Sequence, residues 1–396
     1  MPGSVIVAGA RTPIGRLTGA LSTVSAVDLG AHAIGAALAA ARLDPAAAEA
    51  VVMGHVVQAG AGPNSARQAA VRAGIPFSVP ASTVNKLCLS GLHAIALADL
   101  MIASGRHEVV VAGGMESMSD APHLLRGART GWKYGSAAAE DALDRDALVC
   151  AFDGVSMGAA TERYQRPYVL SREEQDEYSA LSHQRASAAQ ESGALSEEIA
   201  PVTVAGRRGE TVVDTDEGVR PGSTAESLGR LRPAFSSAGT ITAGNSSQLS
   251  DGAAALVVMS AQRARFEGLT PLAEIGAYGT VAGPDPSLLV QPAGAVRDAL
   301  SRDGRLKAAD LDLFEINEAF AGVALASVRE LDIPLDKVNV NGGAIALGHP
   351  VGMTGARLVL TLAAELRRRG GGSGAAALCG GGGQGDALLL HVPTQD

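Results

Sequence analysis

The sequence is short of aromatic residues, cysteines, positive charge and long hydrophobic runs. Its 396 residues contain 6 Phe, 5 Tyr and 1 Trp, and 41 Asp and Glu outnumber 32 Lys and Arg to give a net charge of −9. The excess of acidic residues argues against broad nucleic-acid binding. The longest apolar runs, such as Val109–Ala112, are far shorter than the roughly 20 residues needed to span a bilayer. We therefore expect neither nucleic acid nor a membrane among the partners of this protein.

The three cysteines, Cys88, Cys150 and Cys379, are too few and too widely spaced for a disulfide framework or a zinc site. We therefore expect a reducing compartment and no bound metal. The start of the chain, Met1–Val7, shows no basic stretch, long apolar segment or cleavage site of a targeting peptide. Together these features predict a cytoplasmic protein.

Hydrophobic residues make up 46% of the chain, and 49 residues are glycine. This composition is typical of a globular protein of two or three domains in which backbones approach each other closely. Short β-branched runs alternate with stretches rich in Ala and Leu, which predicts an α/β fold with buried, largely parallel strands. The clearest strands and helices are predicted at Val5–Ala8, Val27–Ala41, Ala50–Met53, Gly91–Ser104 and Val109–Ala112.

Between about Ser119 and Gly244 the sequence becomes richer in Arg, Glu, Ser and Gly, and it contains a predicted polar helix at Arg172–Glu191. The strand pattern returns at Ala253–Met259. We interpret the polar segment as an insertion into the first of two units. The expected ranges are 1–118 for the N-terminal half, 119–249 for the inserted loop domain, 250–270 for the completion of the N-terminal half and 271–396 for the C-terminal half.

Two parts of the sequence match in the order and type of their segments. Cys88–Gly91, a helix and Val109–Gly114 correspond to Gly352–Gly355, a helix and Ala375–Gly381. Sequence identity between the two parts is low, so only the shared order and type of their segments suggests duplicated α/β halves. Two such halves facing each other would bring the Cys88 and Gly352 segments together at equivalent helix starts.

Cys88 lies between a predicted strand and a helix rich in Ala and Leu. At a helix N-terminus, the dipole and free N–H groups would lower the thiol pKa and receive an oxyanion, which suits a nucleophile. The alternative is a small residue that fills a crowded turn. His349, in a glycine-rich loop before Pro350, is either a rigidly held base or oxyanion donor, or a histidine bonded to the loop backbone.

Cys379 is followed by Gly380–Gly385, which matches a dinucleotide-binding glycine pattern. That site requires a helix next, whereas Asp386–Val392 has the pattern of a strand, so we exclude it. The glycines form either an anion-binding nest of N–H groups or a hairpin between the last two strands. Asn317 lies where an apolar strand becomes a helix, and it serves either as a helix cap or to hold a catalytic water.

Four motifs together resemble the thiolase family, whose members condense and cleave acyl-coenzyme A thioesters. They are Cys-Leu-Ser-Gly at 88–91, Asn-Glu-Ala-Phe at 317–320, Gly-His-Pro at 348–350 and Cys-Gly-Gly at 379–381, in the family's order along essentially the whole chain. The resemblance implies duplicated halves in a layered αβαβα core, with the inserted loop domain covering coenzyme A. It implies no cofactor apart from the coenzyme A thioesters that are substrate and product.

By this resemblance, Cys88 is the nucleophile that takes an acyl group, His349 accepts its proton, and Cys379 is the acid and base at the α-carbon. His349 and a water on Asn317 form one oxyanion hole, and the N–H groups of Cys88 and Gly381 form the other. The residues carried over for substrate binding are Leu148 and Met157 at the acyl end, Phe235 and Phe320 near the thiol, Ala243, Ser247 and Ala319 along the pantetheine, and Arg220 and Ser227 near the nucleotide.

Ser156 is a departure from the short-chain biosynthetic members, which resemble this segment but carry His at that position. It leaves the acyl chain length open, and Cys150, which matches no family motif, is assigned to packing. The loop from Met115 to about Gly135, with Trp132 and Tyr134, resembles the segment through which some thiolases pair dimers into tetramers, although it is equally consistent with a simple exposed loop. We expect a homodimer and, through this loop, a homotetramer.

The resemblance favours reversible condensation of two acetyl-CoA into acetoacetyl-CoA and CoA. The nearest alternative is a degradative 3-oxoacyl-CoA thiolase of broader chain length, which uses the same residues. A decarboxylating ketosynthase shares the fold and nucleophile but needs two histidines, or His and Asn, and Cys379 argues against it. A non-catalytic acyl-CoA-binding relative would have relaxed at least one of the four motifs, and all four are intact.

Overall fold

The computed structural model describes residues 3–206 and 209–394. Met1–Pro2, which belong to the segment predicted to carry no targeting peptide, lie outside the described residues. The outer ends of the predicted ranges 1–118 and 271–396 lie outside them as well. The strands are β1 (Ser4–Arg11), β2 (Gly15–Arg16), β3 (Ala50–Gly54), β4 (Ala81–Val84), β5 (Val109–Ser117), β6 (His123–Leu124), β7 (Glu140–Asp141), β8 (Val202–Gly206), β9 (Gly209–Val213), β10 (Ser250–Ser260), β11 (Ala273–Ala282), β12 (Leu313–Ile316), β13 (Gly372–Gly380) and β14 (Gln384–Val392).

The helices connect these strands and cover them. They are α1 (Ala26–Ala40), α2 (Ser65–Arg72), α3 (Ser90–Ala103), α4 (Met157–Tyr164), α5 (Arg172–Glu191), α6 (Ala225–Gly229), α7 (Ala261–Phe266), α8 (Gln291–Asp303), α9 (Ala321–Leu331), α10 (Ala344–Leu347) and α11 (Thr354–Arg368). Shorter 3-10 turns occur at Pro45–Ala47, Arg166–Tyr168, Ala308–Asp310 and Leu335–Lys337, and a π-helical turn at Asp144–Leu148. Among the described residues, no helix combines the length and apolarity needed to cross a membrane.

The main sheet runs in the order β12-β13-β14-β11-β1-β10-β5-β3-β4, with β2 added beside β10. Apolar side chains from α1 and α2 cover one face of its N-terminal part. Those from α3 and α11 fill the space between the N-terminal and C-terminal parts, and α8 covers the outer face of the C-terminal part. Helices and sheet therefore alternate in five layers, αβαβα, as the sequence resemblance implied.

The two halves repeat the same strand arrangement. In the N-terminal half, β1 pairs with β10 and β10 with β5 in antiparallel fashion, and β5 pairs with β3 in parallel. In the C-terminal half, β11 pairs with β14 and β14 with β13 in antiparallel fashion, and β13 pairs with β12 in parallel. This match confirms the duplicated halves, which are joined where β1 meets β11.

The prediction of largely parallel strands is wrong, because the sheet is mixed. Helices cover both faces of the sheet, and β5 and β10 are buried along their whole length. Burial on both faces produces the same unbroken apolar runs in antiparallel strands as in parallel ones. The sequence pattern therefore reported burial and not strand direction.

Two glycines allow α3 and α11 to cross closely in the middle layer. A Cβ atom on Gly91 would lie 2.8 Å from the backbone nitrogen of Ala356, and one on Gly355 would overlap the backbone nitrogen of Leu92. Such contact forces any larger residue to push the helices apart. The crossing holds the Cys88 segment, before α3, close to the His349 segment, before α11.

Between β5 and β10 the chain forms the elements from β6 to α6. Helix α5 spans the range predicted for it, Arg172–Glu191, and it packs against α9 and α10 near the Asn317 and His349 segments. The inserted segment therefore packs beside the loops that carry the Asn-Glu-Ala-Phe and Gly-His-Pro motifs of the C-terminal half.

Candidate active site

A tight turn between β4 and α3 presents Cys88. Asn85 Oδ1 accepts the N–H of Leu87 at 3.0 Å, while Ser90 Oγ accepts the N–H of Lys86 at 2.8 Å and donates to the carbonyl of Leu87 at 2.6 Å. These bonds hold Leu87 in the left-handed region, with φ at +53°. A bulky residue in that conformation is strained, and such strain is commonly stored beside functional groups.

The thiol of Cys88 faces two backbone N–H groups, its own and that of Gly381. Burial is the largest effect on this thiol; burial and the nearby Glu116 carboxylate together outweigh the two N–H groups and raise the pKa of Cys88 to about 11. The predicted lowering of this pKa is therefore wrong. Cys88 precedes Leu89, the residue that caps α3, and desolvation by surrounding apolar atoms outweighs the N–H groups. At neutral pH the thiol keeps its proton and needs a base.

His349 is the candidate for that base, because Val351, two residues after it, belongs to the apolar cluster against which Cys88 packs. Its Nδ1 lies 2.7 Å from Thr354 Oγ1, and the Thr354 hydroxyl donates its single proton to the carbonyl of Pro350 at 2.9 Å. This hydrogen-bond pattern assigns the ring proton to Nδ1 and leaves Nε2 as an acceptor. Burial, and then the positive charge of Arg357, lower the pKa of His349 to about 3. The imidazole is thus neutral at pH 7.

Asn317 points its amide at the same imidazole. Its Nδ2 lies 3.5 Å from His349 Nε2, and its backbone N–H donates to the carbonyl of Ala377 at 2.9 Å. Helix α9 begins at Ala321 and is capped by Phe320, so the helix-cap alternative for Asn317 does not hold. Asn317 Oδ1 is buried and has no protein partner, which leaves a free acceptor of the kind that holds a water.

A buried carboxylate next to Asn317 was not identified from the sequence. Glu318 accepts hydrogen bonds from Tyr178 Oη (2.8 Å), Ser182 Oγ (2.7 Å), Asn339 Nδ2 (2.9 Å) and the backbone N–H of Ile345 (3.0 Å). These donors come from α5, from the loop between α9 and α10, and from α10, which leads to the His349 loop. Glu318 thereby fixes the Asn317 loop against the His349 loop, and only its position in the Asn-Glu-Ala-Phe motif hinted at this role.

A second buried carboxylate supports the other side of the site. Glu116, in β5, accepts N–H groups from Val56 (3.2 Å), Val57 (3.1 Å) and Gly352 (3.0 Å), and it lies 3.3 Å from His55 Nε2. It joins the loop after β3 to the loop that follows His349. No sequence motif predicted this contact, because its three hydrogen-bond donors are backbone N–H groups far from Glu116 along the chain.

Cys379 lies near the end of β13, paired with Gly385 in β14. Gly382 (φ +78°) and Gly383 (φ +71°) form the turn between these antiparallel strands, so the hairpin alternative is correct and the dinucleotide pattern is excluded as expected. The side chain of Cys379 is completely buried. Burial first, and then the proximity of Cys88, hold the pKa of Cys379 far above its ordinary value, which indicates that the two thiols lie close together.

The acyl-end residues gather around these thiols. Leu148 packs in one apolar cluster with Cys88, and Met157 packs in another with Cys379 and Phe320. A Cβ atom on the glycine at position 381 would lie 2.8 Å from Met157 Cε. The two cysteines therefore lie at the meeting point of two apolar clusters suited to a small acyl group.

The residues carried over for the thiol and pantetheine continue outward from this point. The Phe235 ring meets the Phe320 ring edge to face, with centroids 6.2 Å apart. The backbone N–H of Ser247 donates to the carbonyl of Ala319 at 3.1 Å, and Ala243 is an exposed residue of the same stretch. Ala319 and Phe320 therefore connect Ser247 and Phe235 to the apolar cluster of Cys379 and Met157.

The residues carried over for the nucleotide end make contacts within the inserted segment. Arg220 is exposed, and its backbone N–H donates to His183 Nδ1 at 3.2 Å. The Ser227 hydroxyl completes a capping box with Thr224 at the start of α6. Among the described residues, no group of three or more His, Cys, Asp or Glu side chains is placed to hold a metal ion.

Ser156 and Cys150 have structural contacts. The hydroxyl of Ser156 caps α4 by accepting the N–H of Ala159 at 3.3 Å, which explains a small hydroxyl residue at this position. Cys150 is buried, and its sulfur accepts the N–H of Asp153 at 3.5 Å. Both residues shape the segment between Leu148 and Met157.

Comparison with known proteins agrees with this geometry. The family models described as "Thiolase, N-terminal domain" and "Thiolase, C-terminal domain" match residues 4–262 and 269–392. A probable acetyl-CoA acetyltransferase of Mycolicibacterium smegmatis is 56% identical over 387 residues, which are 98% of this chain and 100% of that protein. The acetyl-CoA acetyltransferase of Cupriavidus necator is 48% identical over 366 residues (92% and 93%), and a probable acetyl-CoA acyltransferase of Staphylococcus epidermidis is 45% identical over 364 residues (91% and 92%). The chain therefore belongs to the thiolase family and is an acyltransferase.

Proposed function

We propose that this protein is an acetyl-CoA C-acetyltransferase, which joins two acetyl-CoA molecules into acetoacetyl-CoA and CoA, reversibly, through an acyl group on Cys88. The observation that carries this proposal is the combination of a protonated Cys88 thiol and a neutral imidazole, His349, whose Nε2 carries no proton and can accept one. The second buried thiol, Cys379, supports a condensation and not a hydrolysis. Relatives named acetyl-CoA acetyltransferase at 48% and 56% identity support the acetyl substrate.

In the first half-reaction the sulfur of Cys88 attacks the thioester carbonyl while its proton passes to His349 Nε2. The oxyanion that forms is stabilised by the N–H groups of Cys88 and Gly381, which already face the sulfur. The carbon–sulfur bond to coenzyme A then breaks, and the leaving thiolate takes the proton from His349. The product is acetyl-Cys88 and free CoA.

In the second half-reaction His349 Nε2 takes the proton of the Cys379 thiol, and the resulting thiolate removes an α-proton from a second acetyl-CoA. The protonated His349 and a water on Asn317 donate to the enolate oxygen, and the enolate carbon attacks the carbonyl of acetyl-Cys88. A carbon–carbon bond forms, the bond to Cys88 sulfur breaks, the Cys88 thiolate takes the proton back from His349, and acetoacetyl-CoA leaves. Only the second acetyl-CoA loses an α-proton, and its enolate needs acetyl-Cys88 as the electrophile, so the base acts after acyl transfer.

The inserted segment supplies the coenzyme A site in this proposal. Phe235, stacked edge to face on Phe320, would border the thiol end, and Ser247 would contact the pantetheine. Arg220 and Ser227, both exposed on the insertion, would approach the nucleotide, for which a positive charge is suited to phosphate. The ranges 119–249 for this loop domain and 1–118, 250–270 and 271–396 for the two halves belong to the same proposal.

The acyl chain length separates this function from that of a degradative 3-oxoacyl-CoA thiolase. Leu148 and Met157 close the acyl end, but Ser156 is smaller than the His of short-chain members and caps α4. The deciding experiment is the kcat/KM of CoA-dependent thiolysis for 3-oxoacyl-CoA substrates of increasing chain length. A steep preference for acetoacetyl-CoA supports the acetyltransferase. Activity that holds or rises with length supports the degradative enzyme, and no turnover of any chain refutes both.

The proposal includes a homodimer that pairs into a homotetramer through the loop around Trp132 and Tyr134, in the cytoplasm. Tyr134 is fully exposed and Trp132 half-exposed, and exposed aromatic side chains are typical of interfaces. The three thiols are free, as in a reducing compartment. Light scattering of the wild type and of a Trp132→Ser/Tyr134→Ser variant tests the assembly; a change from tetramer to dimer is expected, and a wild-type monomer would contradict it.

A further inference from the structure

A buried ion pair joins the two halves two residues before Cys88. Lys86 Nζ lies 2.8 Å and 3.0 Å from the two carboxylate oxygens of Asp386, and 3.2 Å from both Tyr278 Oη and Thr280 Oγ1. The Asp386 side chain is completely buried, while that of Lys86 is 20% exposed. Thr280 Oγ1 also donates to Asp386 at 2.8 Å. Lys86 belongs to the N-terminal half, and its three partners belong to β11 and β14 of the C-terminal half.

Both ends of this pair lie beside the catalytic thiols. Lys86 is held in the Cys88 turn by its backbone N–H, which donates to Ser90 Oγ at 2.8 Å. On the other side, Asp386 is paired with Leu378 across the β13–β14 hairpin, one step from the pairing of Cys379 with Gly385. The pair therefore links the Cys88 turn to the hairpin that carries Cys379 and Gly381.

The side chains between these ends are packed closely. A Cβ atom on Gly381 would lie 2.8 Å from Leu87 Cδ1, and one on Gly380 would lie 2.7 Å from Leu89 Cγ. The residues on either side of Cys88 thus rest directly on the glycines of the hairpin turn. Apolar contact of this kind fixes distance but resists sliding poorly, whereas a multidentate ion pair is directional.

We propose that Lys86 and Asp386 are positioning residues: their ion pair holds the Cys88 turn in register with the hairpin, so that the Gly381 N–H stays on the Cys88 sulfur. The inference rests on the proposed role of Cys88 as nucleophile. Loss of the pair would let the turn and the hairpin shift relative to each other. The Gly381 N–H would then stabilise neither the Cys88 thiolate nor the oxyanion formed on acylation.

The charged and titratable groups around Lys86 and Cys88 determine which variants are needed. Lys86 is surrounded by Asp386, Tyr278, Thr280 and His93. Burial first, and then Lys86, lower the pKa of His93, so His93 is not the cation of the pair while Lys86 is present. Cys88 is faced by Glu116 and Cys379. Removing Lys86 alone removes a positive charge near Cys88, and removing Asp386 alone removes a negative one, so a purely electrostatic effect on the thiol would have opposite signs in the two variants.

The experiment compares Lys86→Met, Asp386→Asn and the double variant Lys86→Met/Asp386→Asn with the wild type. The rate of Cys88 alkylation by iodoacetamide is followed against pH by peptide mass spectrometry, together with the kcat of acetoacetyl-CoA thiolysis. The double variant removes both charges and leaves no unpaired buried carboxylate. It can therefore be measured even if a single variant does not fold. Lys86→Arg is the conservative variant, and Arg263→Met/Glu267→Gln, a partly exposed pair at the end of α7, is the matched control.

The positioning role predicts that the midpoint of the alkylation profile rises in both single variants and in the double variant, by about half a pH unit or more. It predicts that kcat falls at least roughly tenfold in the double variant, because one oxyanion donor is misplaced. Lys86→Arg should recover most of the rate, and the α7 control should equal the wild type. Opposite shifts in the single variants with no shift in the double variant would overturn the proposal. Alkylation needs no turnover, so a wild-type protein without thiolysis would refute the proposed function and leave the alkylation profiles to decide the role of the pair.

Discussion

Asn317 Nδ2 lies 3.5 Å from His349 Nε2, although 32 positions separate the two residues along the chain. The contact joins the loop after β12 to the loop before α11. Glu318, in the loop after β12, supports it from one side by accepting hydrogen bonds from α5 and from α10, which precedes the His349 loop. The amide and the imidazole thus face one point, where the account places the enolate oxygen.

Replacement of this amide tests that placement. We expect Asn317→Ala to reduce the kcat of thiolysis by roughly 10²–10³-fold, the usual cost of losing one oxyanion donor, while the acetyl adduct on Cys88 still forms. Steady-state kinetics and intact mass measure the two effects. Asn64→Ala is the control, since Asn64 caps α2 by accepting the Arg67 N–H; it should lower stability by about 1 kcal/mol without affecting kcat.

The Glu318 contacts predict a large stability effect. Four donors converge on its carboxylate, and in Glu318→Gln an amide NH₂ group would face at least one of them. We expect the free energy of unfolding to fall by about 2–4 kcal/mol in urea titrations, since hydrogen bonds to a buried charge are lost. Glu173→Gln, at an exposed position in the first turn of α5, should change it by less than about 0.5 kcal/mol. Equal effects of the two substitutions would contradict the role of Glu318.

The pKa of His349 predicts a pH dependence of stability. Its folded pKa of about 3 lies below the ordinary value of 6.5, so below pH 6.5 the unfolded chain binds a proton that the folded chain does not. Stability due to the neutral His349 is complete above that value and falls as pH decreases toward 3, by up to about 1.4 kcal/mol per pH unit. Urea titrations from pH 4.5 to 7.5 should show a steeper loss for the wild type than for His349→Asn. Parallel curves would show that His349 is not held neutral by burial.

The fold was largely predictable because duplication and layering leave periodic marks in the sequence. Helix α5 occupies the residues predicted for it, and the repeat of Cys88–Gly91 at Gly352–Gly355 corresponds to the crossing of α3 and α11. Strand direction was not predictable, since helices on both faces make buried strands of either direction equally apolar. A local sequence pattern reflects the burial and the hydrophobic periodicity of a segment, and it does not identify the strand with which that segment pairs.

Only the residues that lie in sequence motifs could be predicted as part of the site. Glu318 was visible in a motif, but three of its partners are side chains at least 21 positions away. The pKa of Cys88 was predicted with the wrong sign, because the position before a helix suggested stabilisation by N–H groups while the sequence did not reveal the depth of burial. Energies that depend on desolvation and on distant partners require the three-dimensional arrangement.

The division of roles between the two thiols is the central claim, and the most direct test is intact mass of Cys379→Ala after incubation with acetyl-CoA, measured beside the rate of acetoacetyl-CoA formation. The account predicts a mass increase of one acetyl group, located on Cys88, and no condensation, because the base acts only after acyl transfer. Absence of the adduct in Cys379→Ala, with the adduct present in the wild type, would contradict it.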